Sequence, residues 1–296
     1  MRYIGAHVSA SGGLEKAVER ANDLGSNALQ LFSGSPRVWK RKDLSEITTK
    51  KMFALRSELQ FGPVVTHALY LVNLASSKPE LMEGSIRALQ YDMAFDSLIK
   101  GSGVVVHLGS HLGAGWEAVR DQVATNVARI IQNSPSDATF LIENSAGQNG
   151  KLCSDLAEIA WLIEQVNSPQ LGWCFDTCHS HAAGMSIGDP AGPDAVAGGA
   201  GQTEWGSEKK YAVMQIETHD LWKHLRVVHV NDSRDAFASG RDRHENLGKG
   251  NIAEDDFRYF LNRPELRSVP LLTEVPGLDG NGPDAVNVAV LKSYLQ

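Results

Sequence analysis

Short apolar, β-branched or aromatic runs recur eight times along the 296 residues, roughly one every 37, with amphipathic stretches between them. The runs fall at 3–8, 28–32, 64–67, 104–108, 140–144, 173–177, 227–231 and 271–275. Helix-like segments fall at 13–24, 44–60, 79–100, 116–132, 152–166, 210–221, 254–261 and 283–295. Alternation of this kind implies a parallel sheet covered by helices. Eight such units in about 300 residues favour a closed (β/α)8 TIM barrel over an open doubly wound sheet. No linker divides the chain, so residues 1–296 read as one barrel domain. One biased stretch, 184–206, is dominated by Gly, Ala and Pro and reads as a loop after the sixth strand; it carries no Lys or Arg for a phosphate backbone.

The side chains at the strand ends carry the chemistry. Strands three to eight finish on His67, His107, Glu143, Asp176, His229 and Glu274. A parallel barrel brings these ends to one face, where such enzymes place their sites. One His or carboxylate there is readily a structural hydrogen-bonder. Six in succession, with no Lys or Arg among them, would repel one another or need a cation. His179 follows Asp176 by three positions, and Asp242 and His244 sit two apart in the loop after strand seven. Imidazole with carboxylate is a zinc or manganese environment. Nine ligands exceed one tetrahedral zinc and suit two or three ions sharing a bridging carboxylate. Spacing alone leaves His179 and His181 open as alternatives, and it favours a packed role for Cys178 over a ligating one.

Composition limits the setting. Three cysteines make no disulfide framework and point to a reducing compartment. Neither a signal peptide nor a membrane span is legible, so the expected location is cytoplasmic, nucleoid-associated in a prokaryote. A formal charge of −7 argues against a nucleic-acid partner, yet two or three divalent ions would offset most of it and place the positive charge at the strand ends.

The chain resembles the endonuclease IV family of apurinic/apyrimidinic (AP) endonucleases. The likeness rests on Ile4-Gly5-Ala6-His7-Val8-Ser9, the segment from His67 to Leu74, His107-Leu108-Gly109-Ser110-His111 and Ile142-Glu143-Asn144-Ser145-Ala146-Gly147-Gln148. It continues through Phe175-Asp176-Thr177-Cys178-His179, His229-Val230-Asn231-Asp232, the segment from Asp242 to Ile252, and Leu272-Thr273-Glu274. The resemblance implies three zinc ions, with manganese as an alternative occupant. His67, His107 and Glu143 would hold the first. Glu143 would bridge to a second, completed by Asp176, His229 and Glu274. His179, Asp242 and His244 would hold the third, which selects His179 over His181. Glu143 would also serve catalysis. Arg37, Tyr70 and Leu71 would grip damaged double-stranded DNA, although by residue type alone Tyr70 and Leu71 read as core. Two departures stand out: Ala68 replaces an Asp found in some relatives, and Leu108 a common Pro.

The activity so implied is hydrolysis of the phosphodiester 5′ to an abasic site, leaving 3′-OH and 5′-deoxyribose phosphate, with clearing of blocked 3′ ends. A divalent ion lowers the pKa of bound water to about 7, so hydroxide bridging the first two ions would attack and the third ion would take up charge on the departing 3′-oxygen. The expected protein is a monomer, with neither membrane partner nor organic cofactor. Beside Arg37, the run Lys40-Arg41-Lys42 is the expected phosphate contact. Two rivals are a single-metal sugar isomerase or epimerase and a non-catalytic, metal-stabilised DNA-binding module. The first leaves His67, His107 and the trio His179, Asp242 and His244 without a purpose.

Overall fold

In the computed structural model, which describes residues 2–192 and 210–296, eight parallel strands close into a barrel. They are β1 (Ile4–His7), β2 (Ala28–Phe32), β3 (Val64–His67), β4 (Val104–Val106), β5 (Phe140–Glu143), β6 (Leu171–Asp176), β7 (Leu225–His229) and β8 (Leu271–Thr273). Each pairs with its sequence neighbour, and β8 closes on β1 through Ile4↔Leu271, Gly5↔Leu272 and Ala6↔Thr273. All eight expected runs are therefore barrel strands. The helices are α1 (Leu14–Asp23), α2 (Lys50–Glu58), α3 (Pro79–Leu98), α4 (Trp116–Gln132), α5 (Leu156–Val166), α6 (Thr177–Ala182), α7 (Ala212–Thr218), α8 (Glu254–Leu261) and α9 (Ala285–Ser293). No described helix is long and apolar enough to cross a membrane.

The differences from the sequence reading are local. The segment 44–60 divides into a 3-10 turn, Leu44–Glu46, opened by the Asp43 carboxylate accepting from Ser45 N, and α2 after it. Helix α5 starts at Leu156 because Asp155 caps it, accepting from Ala157 N, and Cys153 just before takes a left-handed φ of 66°. Helix α7 starts two residues late because Lys210–Tyr211 pairs with Met185–Ser186. Of the Gly/Ala-rich stretch, residues 193–206 lie outside the described residues.

Inside the barrel the period of two decides what faces the axis. Ala28, Val65, Val105, Leu141, Cys174, Val227 and Leu272 form one fully buried inward layer. Gly5 completes it: a Cβ there would lie 2.0 Å from the Ala28 carbonyl oxygen, so only glycine lets β1 approach β2 this closely. Two residues further along each strand, on the same inward face, stand His7, Gln30, His67, His107, Glu143, Asp176, His229 and Glu274. The barrel thus carries a polar layer directly above an apolar one.

Candidate metal centre

The polar layer draws all nine sequence-predicted ligands together. Their donor atoms fall into three groups, each with its atoms within 4.8 Å of one another: His67, His107 and Glu143; Glu143, Asp176, His229 and Glu274; and, separately, His179, Asp242 and His244. Glu143 belongs to two. Its Oε2 lies 3.3 Å from His67 Nε2 and 3.1 Å from His107 Nε2, and its Oε1 lies 2.8 Å from His229 Nδ1. In the third group His179 Nε2 is 3.0 Å and His244 Nε2 3.6 Å from Asp242 Oδ1. The alternative His181 instead turns its ring to Phe237, 5.2 Å between centroids.

Local structure explains these positions. The Asp176 carboxylate ends β6 and caps α6, accepting from His179 N at 2.8 Å, so one residue both starts the helix and aims His179. Asn231 donates from Nδ2 to Asp176 Oδ2 at 2.7 Å, and its Oδ1 accepts from Glu274 N at 2.7 Å, tying two ligand-bearing strand ends together. His67 Nδ1 donates to the Ala68 carbonyl at 2.7 Å. That contact needs no side chain at 68, so the departure at Ala68 leaves the ring oriented by backbone. Leu108 is buried, and its carbonyl accepts from Leu74 N at 2.9 Å.

The electrostatics ask for cations. Burial pushes the Glu143 carboxyl up, but the imidazoles of His107 and His229 outweigh it and hold it well below the usual range. Burial, the largest influence on His107, lowers it to about 4. Glu143 Oε2 is buried with no hydrogen-bond partner, as are His107 Nδ1 and His244 Nε2. A buried carboxylate oxygen facing two imidazole nitrogens fits a divalent ion, because metal coordination satisfies the acceptors that hydrogen bonds leave open. Among the described residues, Lys151 is the one Lys or Arg paired with a ligand carboxylate, donating to Asp242 Oδ2 at 3.0 Å. Cys178 is buried with Sγ 3.6 Å from the Arg243 carbonyl, and burial pushes its thiol up, away from the thiolate a metal needs.

Around the centre lies a cavity of about 490 Å³, lined in part by Tyr70, His107, Asp242 and Glu274. Tyr70 is 55% exposed at its rim, and Leu71 is half-buried. The Tyr70 ring packs edge-on against Phe32 at 5.4 Å, and its backbone N donates to the Pro36 carbonyl at 3.0 Å. That bond joins the loop bearing Tyr70 to the one bearing the exposed Arg37. The basic run needs correction at Arg41. Its side chain is only 9% exposed, donates to the carbonyls of Ser35 and Val38, and lies 3.7 Å from the buried Asp92 carboxylate. Arg41 shapes the loop from within, whereas Lys40 and Lys42 are exposed.

His7 and Gln30, in the same layer, were not among the sequence-predicted site residues. Gln30 Nε2 lies 2.6 Å from Glu274 Oε1 and 2.9 Å from His7 Nδ1, and Gln30 Oε1 lies 2.8 Å from His229 Nε2. The signal available in sequence was position: both stand two residues after a member of the inward apolar layer, as the strand-end ligands do.

Comparison with known proteins converges on one family. A family model described as a xylose isomerase-like TIM barrel matches residues 18–293. A protein named probable endonuclease 4 from Methanoculleus marisnigri is 36% identical over 294 residues, spanning 99% of this chain and 98% of its own. One of the same name from Halothermothrix orenii is 33% identical over 98% of this chain and 99% of its own. The crystal structure of endonuclease IV from Thermus thermophilus superposes with a TM-score of 0.80 at 31% identity, covering 99% of this chain and 98% of that one. A D-tagatose 3-epimerase-like protein, at 18% identity and a TM-score of 0.69, shares the barrel fold.

Proposed function

The chain belongs to the endonuclease IV family of AP endonucleases, and from that premise we propose that it is a zinc-dependent hydrolase of damaged double-stranded DNA. It cuts the phosphodiester 5′ to abasic sites, leaving 3′-OH and 5′-deoxyribose phosphate, and clears blocked 3′ ends. The observation that carries this reading is the third ligand group, His179, Asp242 and His244, beside two groups that share Glu143. A single-metal sugar site would be complete with Glu143, Asp176, His229 and Glu274 alone.

The residues would hold three ions as the groups are drawn: one on His67, His107 and Glu143, one on Glu143, Asp176, His229 and Glu274, one on His179, Asp242 and His244. Divalent ions there supply a nucleophile usable at neutral pH and offset the charge of a phosphodiester. Glu143 keeps the first two ligand groups in fixed relation. Lys151 adds a positive charge beside Asp242.

Selectivity follows from the rim. A nucleotide without its base has lost stacking and pairing, so turning it out of the duplex costs less than the few kcal/mol an intact one requires. Tyr70 and Leu71 fill the vacated stack as an apolar wedge. Exposed Arg37, on the adjoining loop, meets the phosphate backbone. The test is incision of a duplex containing one abasic site, after chelation and after zinc add-back. Loss and recovery of cleavage are expected. A fully zinc-loaded protein that leaves the abasic strand uncut, or that instead epimerises a sugar, would end this reading.

A further inference from the structure

Five of the nine candidate ligands are imidazoles, and four of these turn Nε2 towards the centre. For His67 and His179 a backbone carbonyl takes the other nitrogen: Ala68 O at 2.7 Å and Asn144 O at 3.0 Å from Nδ1. His244 Nδ1 lies 3.4 Å from Glu274 O, and His107 Nε2 lies 3.1 Å from Glu143. His229 is reversed. Its Nδ1 faces Glu143 Oε1 at 2.8 Å and Glu274 Oε2 at 3.2 Å, and its Nε2 points across the barrel to Gln30. Both residues are fully buried.

Donor and acceptor chemistry leaves one arrangement. A carboxylate oxygen only accepts, so the group of Gln30 that lies 2.6 Å from Glu274 Oε1 is the amide nitrogen. The same nitrogen lies 2.9 Å from His7 Nδ1, which is itself 3.1 Å from Glu274 Oε1. The amide oxygen therefore faces His229 Nε2 at 2.8 Å, and since it too only accepts, Nε2 carries the proton. Without an ion Nδ1 donates to the carboxylate oxygens it faces; a cation at the point where those two carboxylates converge takes the place of that proton and receives the Nδ1 lone pair, because Nε2 keeps its own proton against Gln30.

We infer that Gln30 is a positioning residue of the metal centre, which commits His229 to ligation through Nδ1 and holds Glu274 with Oε2 turned to the same point. Partners that fix a ligand's tautomer are worth about 10- to 100-fold in metal affinity. The inference rests on reading the cluster as a metal centre, and is independent of which phosphodiester is cut.

The test uses the full chain, labelled with 15N-histidine and loaded with 113Cd, together with zinc competition against a chelator. The wild type is expected to show one histidine coupled to cadmium through Nδ1 and the others through Nε2. Gln30→Met, similar in volume but unable to accept from His229, should lose the Nδ1-coupled signal and bind one ion at least about tenfold more weakly. Gln30→Glu, which keeps an acceptor, should retain that signal. Gln30→Met with the Nδ1 coupling and the chelator curve of the wild type would overturn the inference. If Gln30→Met does not fold, Gln30→Leu decides, and a wild-type Nδ1 signal in it refutes the role of the acceptor. A wild-type chain that takes up no ion would refute the metal reading beneath it.

Discussion

Glu143 is the residue whose loss should be felt most widely, because its two oxygens face different ligand groups: Oε2 towards His67 and His107, Oε1 towards His229. Gln at 143 has nearly the same shape but no charge, and presents an N–H where a cation should sit. Incision by Glu143→Gln is expected to fall by at least about 100-fold, while affinity for abasic duplex stays within a few-fold. Near-wild-type turnover would show that the carboxylate is not shared between ions. Tyr70 makes the opposite case. It is 55% exposed, and although its ring packs on Phe32 and His67, its backbone N provides the tie to Pro36. Stacking of a base on an aromatic ring is worth roughly 1–3 kcal/mol. Tyr70→Ala should therefore lose about 10- to 100-fold in preference for abasic over intact duplex, at unchanged zinc content. Zinc lost in parallel would make Tyr70 a support of the His67 ring instead of a wedge.

Loops, not strands, are where element-scale reasoning gains most from the structure. The loop after β2 is clipped at two points: Arg41 binds the Ser35 and Val38 carbonyls beside Asp92 of α3, and Tyr70 N binds Pro36 O. Arg41→Met should free the loop, raising KM for abasic duplex several-fold with kcat and zinc content little changed. The salt dependence of binding separates this role from a phosphate contact. A phosphate-binding Arg contributes about one to the slope of log K against log salt, whereas a loop-shaping one leaves the slope alone. A slope reduced by one in Arg41→Met would restore Arg41 to the DNA-facing set. The barrel itself was legible because each run is short and apolar, β-branched or aromatic, and because the strand-end residue of each strand from β3 to β8 is a type that can hold a metal. Gln30 announces nothing by type, and His7 is embedded in a run that continues to Val8, so the layer looked like six positions where the barrel has eight. Helix α6 was hidden for another reason. Thr177-Cys178-His179-Ser180-His181-Ala182 has poor intrinsic helix propensity, and it is the Asp176 cap, set in place by β6, that opens a helix there.

At the scale of the molecule, charge is divided between a centre that needs cations and a framework that buries carboxyls without them. Asp96 belongs to the framework. It sits on α3, 1% exposed, accepting from Thr66 Oγ1 at 2.7 Å and from Gly103 N at 3.0 Å, in a space kept open by Gly101, where a Cβ would strike the carboxylate. Burial pushes its pKa up to about 7, against 3.8 for an unconstrained Asp, and the two hydrogen bonds recover only part of that. Between these values the folded chain holds a proton that the unfolded chain has released. Stability contributed by this group is therefore full below pH 4, declines as pH rises through 7, and levels off above. Asn is the permanent analogue of the protonated acid: its oxygen can accept from Gly103 N while its amide donates to the Thr66 hydroxyl. Asp96→Asn should then be more stable than the wild type at pH 8, by an amount that shrinks towards zero near pH 4. Urea unfolding of the metal-free chains across that range measures the difference, in which the ligand imidazoles common to both proteins cancel. If the two curves run parallel from pH 4 to pH 8, the proton resides elsewhere. Glu158, which burial also raises to about 7, is then the next group to replace.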